Sequence, residues 1–430
     1  MSLGLWSRHT ASALVFLLRW LLLGALVGAL AGTGSAGFLV ALEWATRWRE
    51  LHPWALALLP MAGLFIGLAY HYFGGRAVRG NNLILDEIHQ PGERLPLRLV
   101  PLVLGGTLVT HLVGGSAGRE GTAVQMGAAL ADQLPRWLPR SLPGWLRLRP
   151  RDRRLLLIAG MSAGFASVFG TPLAGAVFGL EVFLMGSIRY EAVLPSFLAA
   201  VLADWVTRAW GVGHTAYPVL AALPLTPLGL GCTLLVGALC GLVARAFAGL
   251  THGVSRWFGR AVGYAPLRPV LGGVLLAGLL WVAGPGRFGG LGIPVIAEAF
   301  QHPLPPTDFA WKLALTALTL GCGFRGGEVT PLFFMGAALG SALAAVLPLP
   351  VALLAAMGFV GIFAGAANTP LACTLMGLEL FGSNAGIYLA LVCVVAYLFS
   401  GHHGIYGAQV VGAAKHLRLG RQQGQRLGDL

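Results

Sequence analysis

Long apolar segments separated by short polar loops fill almost the whole chain. A membrane-spanning helix needs about 20 consecutive apolar residues, and several of these segments are longer than one span yet too short for two. Glycine and proline interrupt them repeatedly, which predicts an all-α polytopic membrane protein of tilted and broken helices. The segments cover residues 12–45, 53–73, 97–131, 155–184, 192–212, 216–250, 268–300, 309–347 and 351–399.

The composition supports a membrane protein. Of the 430 residues, 56% are hydrophobic and 10% are charged, whereas about 25% of a soluble domain is charged. The apolar run from Ser12 to Val40 is too long for a cleavable signal peptide. No cysteine has a partner at metal-ligand spacing, so buried thiols and no metal site are expected. The cysteines are Cys232, Cys240, Cys322, Cys373 and Cys393.

The net charge of +13 arises in short loops and does not indicate a nucleic-acid partner. Seven arginines lie between Arg136 and Arg154, and the positive-inside rule places such a loop in the cytoplasm. Residues 413–430 form a short basic tail, and residues 1–11 a short N-terminus. The pattern predicts a multi-pass protein of the cell inner (plasma) membrane, with both termini in the cytoplasm and the lipid bilayer as solvent.

An internal repeat divides the transmembrane domain, residues 12–412, into halves of about 12–212 and 213–412. Thr171–Glu181 matches Thr369–Glu379 at seven of eleven positions. The pentapeptide Met-Gly-Ala-Ala-Leu begins at Met126 and again at Met335. Duplicated transporters hold their substrate near mid-membrane, at broken helix ends where the halves meet. The substrate site is therefore expected between the halves.

Glu120 is the first candidate for chemistry. Carboxylates are costly inside a membrane and mark pathways; Glu181 and Glu379 are interpreted instead as helix-end acids. Glu120 follows the glycine-rich stretch Gly114–Arg119 and precedes a helix-like segment. A helix N-terminus is a ready anion site. The Glu120 carboxylate could occupy such a site as a resident anion, leave when protonated and return when deprotonated.

The same design recurs in the second half. Glu328 ends the glycine-rich stretch Gly321–Gly327, and Thr330 adds a hydroxyl. A third glycine-rich stretch leads through Gly80 to Asn81 and Asn82. Either asparagine could donate an amide hydrogen bond to an anion, and either could equally cap the helix that follows.

These pieces together resemble the CLC family of anion channels and proton-coupled antiporters. They are Gly118-Arg-Glu-Gly-Thr122, the stretch from Gly323 to Pro331, the duplicated Thr-Pro-Leu-Ala segments and a late Tyr406. The resemblance covers residues 12–412. It implies the CLC-type fold of two inverted-topology repeats and a homodimer with one pathway per subunit, with no cofactor.

Departures from the chloride-type pattern are similar to the CLC-F clade of bacterial fluoride/proton antiporters. Gly80-Asn-Asn-Leu-Ile84 stands where chloride-type members have Gly-Ser-Gly-Ile-Pro. Thr122 replaces a proline, and Glu328 is an additional acid. Val182 stands where chloride/proton exchangers carry an inward-facing proton-relay glutamate.

The resemblance implies roles residue by residue. Glu120 would be the gating, proton-exchanging glutamate and Asn81 the selectivity residue. Glu328, Thr330 and Tyr406 would line the anion pathway. The loops that support the helix ends would contain Gly80, Gly118, Arg119, Gly121, Thr122 and Gly327.

The function expected is proton-coupled fluoride export, with fluoride and protons as substrates and no enzymatic activity. A chloride channel or chloride/proton exchanger of the same family is the nearest alternative. An intramembrane serine hydrolase is a remote one, because Ser116 and Ser162 lie in G-x-S-x-G strings. The pair His402-His403 has no acidic partner in sequence, and a non-transporting scaffold would carry polar helix ends at pure cost.

Overall fold

The apolar segments fold into helices of very unequal length. The computed structural model describes residues 3–139 and 141–430, so residues 1–2 of the expected N-terminus and Arg140 of the basic loop lie outside it. The described α-helices are α1 (Leu3–Leu51), α2 (Leu59–Phe73), α3 (Asn81–His89), α4 (Leu99–Leu112), α5 (Glu120–Trp137), α6 (Asp152–Phe169), α7 (Pro172–Glu181), α8 (Val193–Ala209), α9 (Pro227–Ala261), α10 (Leu267–Ala283), α11 (Pro285–Phe288), α12 (Ile293–Glu298), α13 (Asp308–Gly321), α14 (Val329–Leu343), α15 (Val351–Ala367), α16 (Pro370–Phe381) and α17 (Gly386–Phe399).

Few of the described helices could cross a membrane unaided. Four are long and apolar enough, and they lie at Thr10–Leu51, Pro53–Phe73, Tyr190–Ala209 and Pro227–Ala261. Several shorter helices are apolar and have 10–17 residues. The prediction of short, broken helices is therefore confirmed, and helix ends lie inside the apolar bundle.

The long apolar segments break at the same place in both halves. Gly170, at a φ of 76°, ends α6, and Asn368, at a φ of 58°, ends α15. A left-handed residue closes a helix C-terminus, and a proline at the next helix's first position suits its fixed φ. Pro172 and Pro370 occupy those first positions. The repeated Thr-Pro-Leu-Ala segment is thus the start of a new helix in each half.

Glycines allow the neighbouring helices to touch backbone to backbone. A Cβ on Gly127 of α5 would lie 2.3 Å from the Gly160 carbonyl oxygen of α6. A Cβ on Gly336 of α14 would lie 2.1 Å from the Gly358 carbonyl oxygen of α15. These pairs bring α5 onto α6 and α14 onto α15, so the two halves use the same packing device.

The repeat glutamates bind the two halves to each other. Glu181 at the end of α7 accepts hydrogen bonds from the N–H groups of Leu371 and Ala372 at the start of α16, at 3.1 and 2.9 Å. Glu379 near the end of α16 accepts from the first turn of α7, at 2.9 and 2.8 Å. This exchange requires antiparallel helices, as inverted repeats do. Both glutamates cap helices, which agrees with their interpretation as helix-end acids.

The C-terminal segment folds back over the helix ends. A parallel pair of two-residue strands, β1 (Leu184–Met185) and β2 (Val410–Val411), joins the end of α7 to the chain after α17. Arg426 of the tail forms an ion pair with Asp86 of α3 at 3.0 Å. The all-α prediction included no strand, because two residues are too few to show an alternating pattern.

Candidate functional site

The two glycine-rich loops meet as an antiparallel bridge. The Gly118 N–H donates to the Gly327 carbonyl at 2.6 Å, and the Gly327 N–H donates back at 2.8 Å. A Cβ on Gly118 would lie 2.9 Å from that carbonyl oxygen, and a Cβ on Gly327 would lie 2.8 Å from the Gly121 nitrogen. Only glycine fits at this crossing, which brings the first turns of α5 and α14 together.

The carboxylate of Glu120 lies at the N-terminus of the opposite half's helix. The residue is fully buried. Its Oε2 accepts from the Thr330 N–H at 3.1 Å, and the Thr330 hydroxyl lies 2.6 and 2.7 Å from the two carboxylate oxygens. Glu120 is the first residue of its own helix, α5, as the sequence predicted. Its carboxylate in addition binds the start of α14 as an anion would, because helix N–H groups and the helix dipole favour negative charge.

Glu328 and Asn81 face the same point from the other side. A Cβ on Gly121 would lie 3.3 Å from Asn81 Nδ2 and 3.5 Å from Glu328 Oε2. Among the described residues, neither Glu328 Oε2 nor Asn81 Oδ1 has a hydrogen-bond partner, although both atoms are buried. Such atoms are costly unless a proton, water or ligand completes their bonding. The structure therefore brings Asn81, Glu120, Glu328 and Thr330 together.

The two asparagines have different surroundings. Asn81 is the first residue of α3, and no side chain caps that helix. The Asn82 Oδ1 accepts from the Ala408 N–H at 3.0 Å and so holds the loop after Tyr406. The capping alternative is therefore wrong for Asn81, and Asn82 has a structural role in joining α3 to this loop.

The supporting residues hold these helix ends in place. Gly80 precedes α3 at a φ of 53°, a conformation that favours glycine. The Thr122 hydroxyl bonds to that of Thr107 on α4 at 2.7 Å. Tyr406 is 4% exposed, and its hydroxyl is close enough to Glu328 and Glu120 for their charges to act on it.

Arg119 joins the site to a cavity on one side. Its Nε lies 3.6 Å from Glu120 Oε1. The residue also lines a cavity of about 430 Å³ together with Glu43, Arg47 and His214. Arg119 therefore stands between a space wide enough for solvated ions and the buried carboxylate, with positive charge in position to attract an anion.

Three contacts near the site were not anticipated from the sequence. Arg325 donates to the Val78 carbonyl at 3.1 Å, and its guanidinium lies 3.9 Å from the Tyr70 ring centroid. This contact links the Glu328 loop to the turn before Gly80. The cation inside a glycine run was the available signal.

The other two contacts are made by buried basic side chains that bind backbone carbonyl groups. The ring nitrogens of His111 lie 2.9 and 3.1 Å from the carbonyl oxygens of Thr107 and Ala117. The ammonium group of Lys312 donates to the carbonyls of Phe288 and Gly290 at 3.0 and 2.7 Å. Their single positions in apolar segments gave no indication of these partners.

The remaining candidates have structural roles. Ser116 bonds to the Thr316 hydroxyl at 2.9 Å, and Ser162 donates to the Ala176 carbonyl at 3.2 Å. Within residues 3–139 and 141–430, no cluster of metal-ligating side chains is found. The cysteines, all buried, are unpaired as expected.

Removing the Thr330 hydroxyl should slow anion transport several-fold. The hydroxyl is a donor to the anion at the start of α14, and a hydrogen bond contributes a net of about 0.5–1.5 kcal/mol, or roughly two- to tenfold. Thr330→Ala is the test and Thr330→Ser the matched control, because serine keeps the hydroxyl. Glu328→Gln should slow transport to a similar extent in a folded protein. Wild-type flux in both Thr330→Ala and Glu328→Gln would show that neither side chain takes part in the anion pathway.

Comparisons with known proteins show the family to which the chain belongs. Residues 62–401 match the family described as voltage gated chloride channel. A "Chloride/fluoride channel protein" of Pseudomonas syringae pv. tomato is 51% identical over 94% of this chain and 89% of that protein.

Solved structures have the same fold. A crystal structure of a CLC-type fluoride/proton antiporter superposes with a TM-score of 0.87 at 35% identity, over 91% of this chain and 98% of that one. A slow cyanobacterial Cl⁻/H⁺ antiporter, at 22% identity and a TM-score of 0.75 over 89% of this chain and 94% of that one, shares the fold. The chain is thus a polytopic membrane protein that belongs to the voltage gated chloride channel, or CLC, family of anion transport proteins.

Proposed function

We propose that this protein exchanges fluoride for protons across the membrane. The observation that carries the proposal is the Glu120 carboxylate, which takes the place of an anion at the N-terminus of α14. A carboxylate can give up that place by taking a proton, so one site can serve both substrates. Relatives described as a chloride/fluoride channel protein and a fluoride/proton antiporter support the choice of substrates.

The exchange follows from competition for the same donors. When Glu120 is protonated, it binds the α14 N-terminus less strongly, and fluoride accepts from the Thr330 N–H and hydroxyl. When fluoride leaves, the deprotonated carboxylate returns. Glu328, whose Oε2 is buried and unpaired, supplies a second acid beside the first. We assign the further proton step to Glu328, since Val182 cannot carry a proton.

Fluoride over chloride requires strong, directed donors. Fluoride is small and strongly hydrated, so its site must replace water with amide, hydroxyl and helix-end N–H groups. The Asn81 amide and the Glu328 carboxylate both lie beside Gly121, where a serine in place of Asn81 would offer a shorter hydroxyl. A single additional donor worth about 1.4 kcal/mol gives tenfold selectivity.

Replacing Asn81 with serine should therefore raise chloride flux relative to fluoride, by up to about tenfold. The flux ratio is measured in liposomes containing wild type, Asn81→Ser or Asn384→Ser. Asn384 is a suitable control because its amide bonds to the Leu220 carbonyl, far along the chain from the site. An unchanged ratio in Asn81→Ser would show that selectivity lies elsewhere.

Liposome flux tests the proposed function itself. Purified protein is reconstituted with fluoride inside, and the outward fluoride gradient should drive protons inward, which a pH dye reports. The same gradient of chloride should move few protons. Equal proton movement with chloride would favour a chloride/proton exchanger, and anion flux without protons would favour a channel.

We also propose a homodimer in the cell inner membrane with both termini in the cytoplasm. Every group of the site comes from one chain, so each subunit would contain a complete pathway. Seven arginines between Arg136 and Arg154 and the basic tail support a cytoplasmic location for these segments. The mass of the protein in mild detergent and the accessibility of single cysteines introduced in the tail test these points.

A further inference from the structure

A second basic site lies between α9, α17 and the tail, and it shares no lining residue with the candidate transport site. A cavity of about 350 Å³ is lined by Arg245 of α9, by His402 and His403 after α17, and by His416 of the tail. Leu398 and Phe399 at the end of α17 form part of its wall and are largely exposed. The cavity therefore presents basic side chains beside an apolar surface, at the end of α17.

The basic side chains of this cavity form few hydrogen bonds or ion pairs. The side chains of Arg245, His403 and His416 make no hydrogen bond or ion pair with the rest of the described chain. His402 is occupied, since its Nδ1 lies 2.6 Å from Gln422 Oε1 and its Nε2 accepts from the Lys415 N–H at 3.3 Å. Three basic side chains thus remain available to a ligand. The two hydrogen bonds of His402 hold this part of the chain against the tail.

The charge around His403 is also unbalanced. Burial lowers the pKa of His403, and the positive charges of Arg245, Lys415, His402 and His252 lower it further. No aspartate or glutamate side chain lines the cavity. A cluster of basic side chains is a favourable place for an anion.

We propose that this cavity binds the phosphate of an anionic phospholipid. The basic side chains would hold the headgroup, and the apolar wall of Leu398 and Phe399 would contact its acyl chains. Basic pockets between membrane helices bind anionic headgroups in this way. A bound lipid would also join α9 and α17 to the tail, which itself contacts α3 through Arg426 and Asp86.

Stabilisation by defined lipids tests this site. The melting temperature of the full-length protein in mild detergent is measured with added dihexanoyl phosphatidylglycerol, dihexanoyl phosphatidylcholine or inorganic phosphate. Phosphatidylglycerol should stabilise the wild type, and the other two should have little effect. Equal stabilisation by inorganic phosphate would show a free-phosphate site and overturn the lipid assignment, as would equal stabilisation by phosphatidylcholine or none by phosphatidylglycerol.

Matched variants locate the effect. Arg245→Gln should weaken the apparent affinity for phosphatidylglycerol by about fivefold, which is the contribution of one cation near an anionic membrane surface. His403→Gln is a second variant at the same cavity. Arg260→Gln is the control, since Arg260 is an exposed arginine on the same helix, outside the cavity. If Arg260→Gln weakens binding as much as Arg245→Gln, or if both cavity variants bind as wild type, the site is not in this cavity.

Discussion

Glu120→Gln is expected to reduce fluoride-driven proton movement to the background leak of empty liposomes. Glutamine has nearly the same shape as glutamate and can still lie beside Thr330. Its amide cannot exchange a proton, however, and it carries no charge to compete with fluoride at the start of α14. Proton movement is measured with a pH dye under an outward fluoride gradient, and fluoride flux with an ion-selective electrode.

A matched acid shows whether the effect belongs to the site. Glu191→Gln makes the same chemical change at a side chain that is 61% exposed and paired with Arg189, and it should transport as wild type. Fluoride exchange in Glu120→Gln should itself be slow, because no carboxylate returns to displace the fluoride that occupies the start of α14. Undiminished proton uptake in Glu120→Gln would remove Glu120 from the coupling role.

The second large effect is expected from Gly327→Ala. A Cβ at this position would lie 2.8 Å from the Gly121 nitrogen and 3.3 Å from the nitrogens of Arg119 and Glu120. All three are backbone atoms, so the loops must separate to accept the methyl group. Forced shifts of this kind cost about 1–3 kcal/mol. Transport should fall by more than about tenfold, because Glu120 and Thr330 no longer meet at their present distances.

Gly105→Ala is the control for this change. Gly105 lies within α4, and a Cβ there would meet nothing within 4 Å. Alanine also has a higher helix propensity than glycine, so this variant should keep wild-type flux and thermal stability. Wild-type flux in Gly327→Ala as well would mean that the bridge between Gly118 and Gly327 does not position the site.

The sequence predicted the elements of the site better than their arrangement. Helix breaks inside apolar segments depend on local residues, so glycine, proline and the repeated Thr-Pro-Leu-Ala segment were sufficient to place them. The Glu120 carboxylate is bound by Thr330, which lies 210 positions later in the chain. Local patterns placed Glu120 correctly at the start of α5, but they carry no information on its contact with Thr330.

Contacts between the two halves explain the other differences. Glu181 and Glu379 occupy equivalent positions in the two repeats, but only the folded chain shows that each caps a helix of the opposite repeat. Arg325 gave a visible signal as a cation among glycines, without indicating Tyr70 as its partner. The sequence allowed each of these residues to be proposed individually. It did not show which residue each one contacts in the folded chain.

Uphill transport is the most direct test of coupled exchange through one site. Liposomes containing the wild-type protein start with equal fluoride on both sides, and an inward proton gradient is then imposed while the membrane voltage is held at zero. Antiport predicts that fluoride leaves the vesicles against its own growing gradient, and that Glu120→Gln liposomes show no such movement. Fluoride that stays equal on both sides in wild-type liposomes, although it equilibrates readily down a fluoride gradient, would contradict proton-coupled exchange and identify a channel.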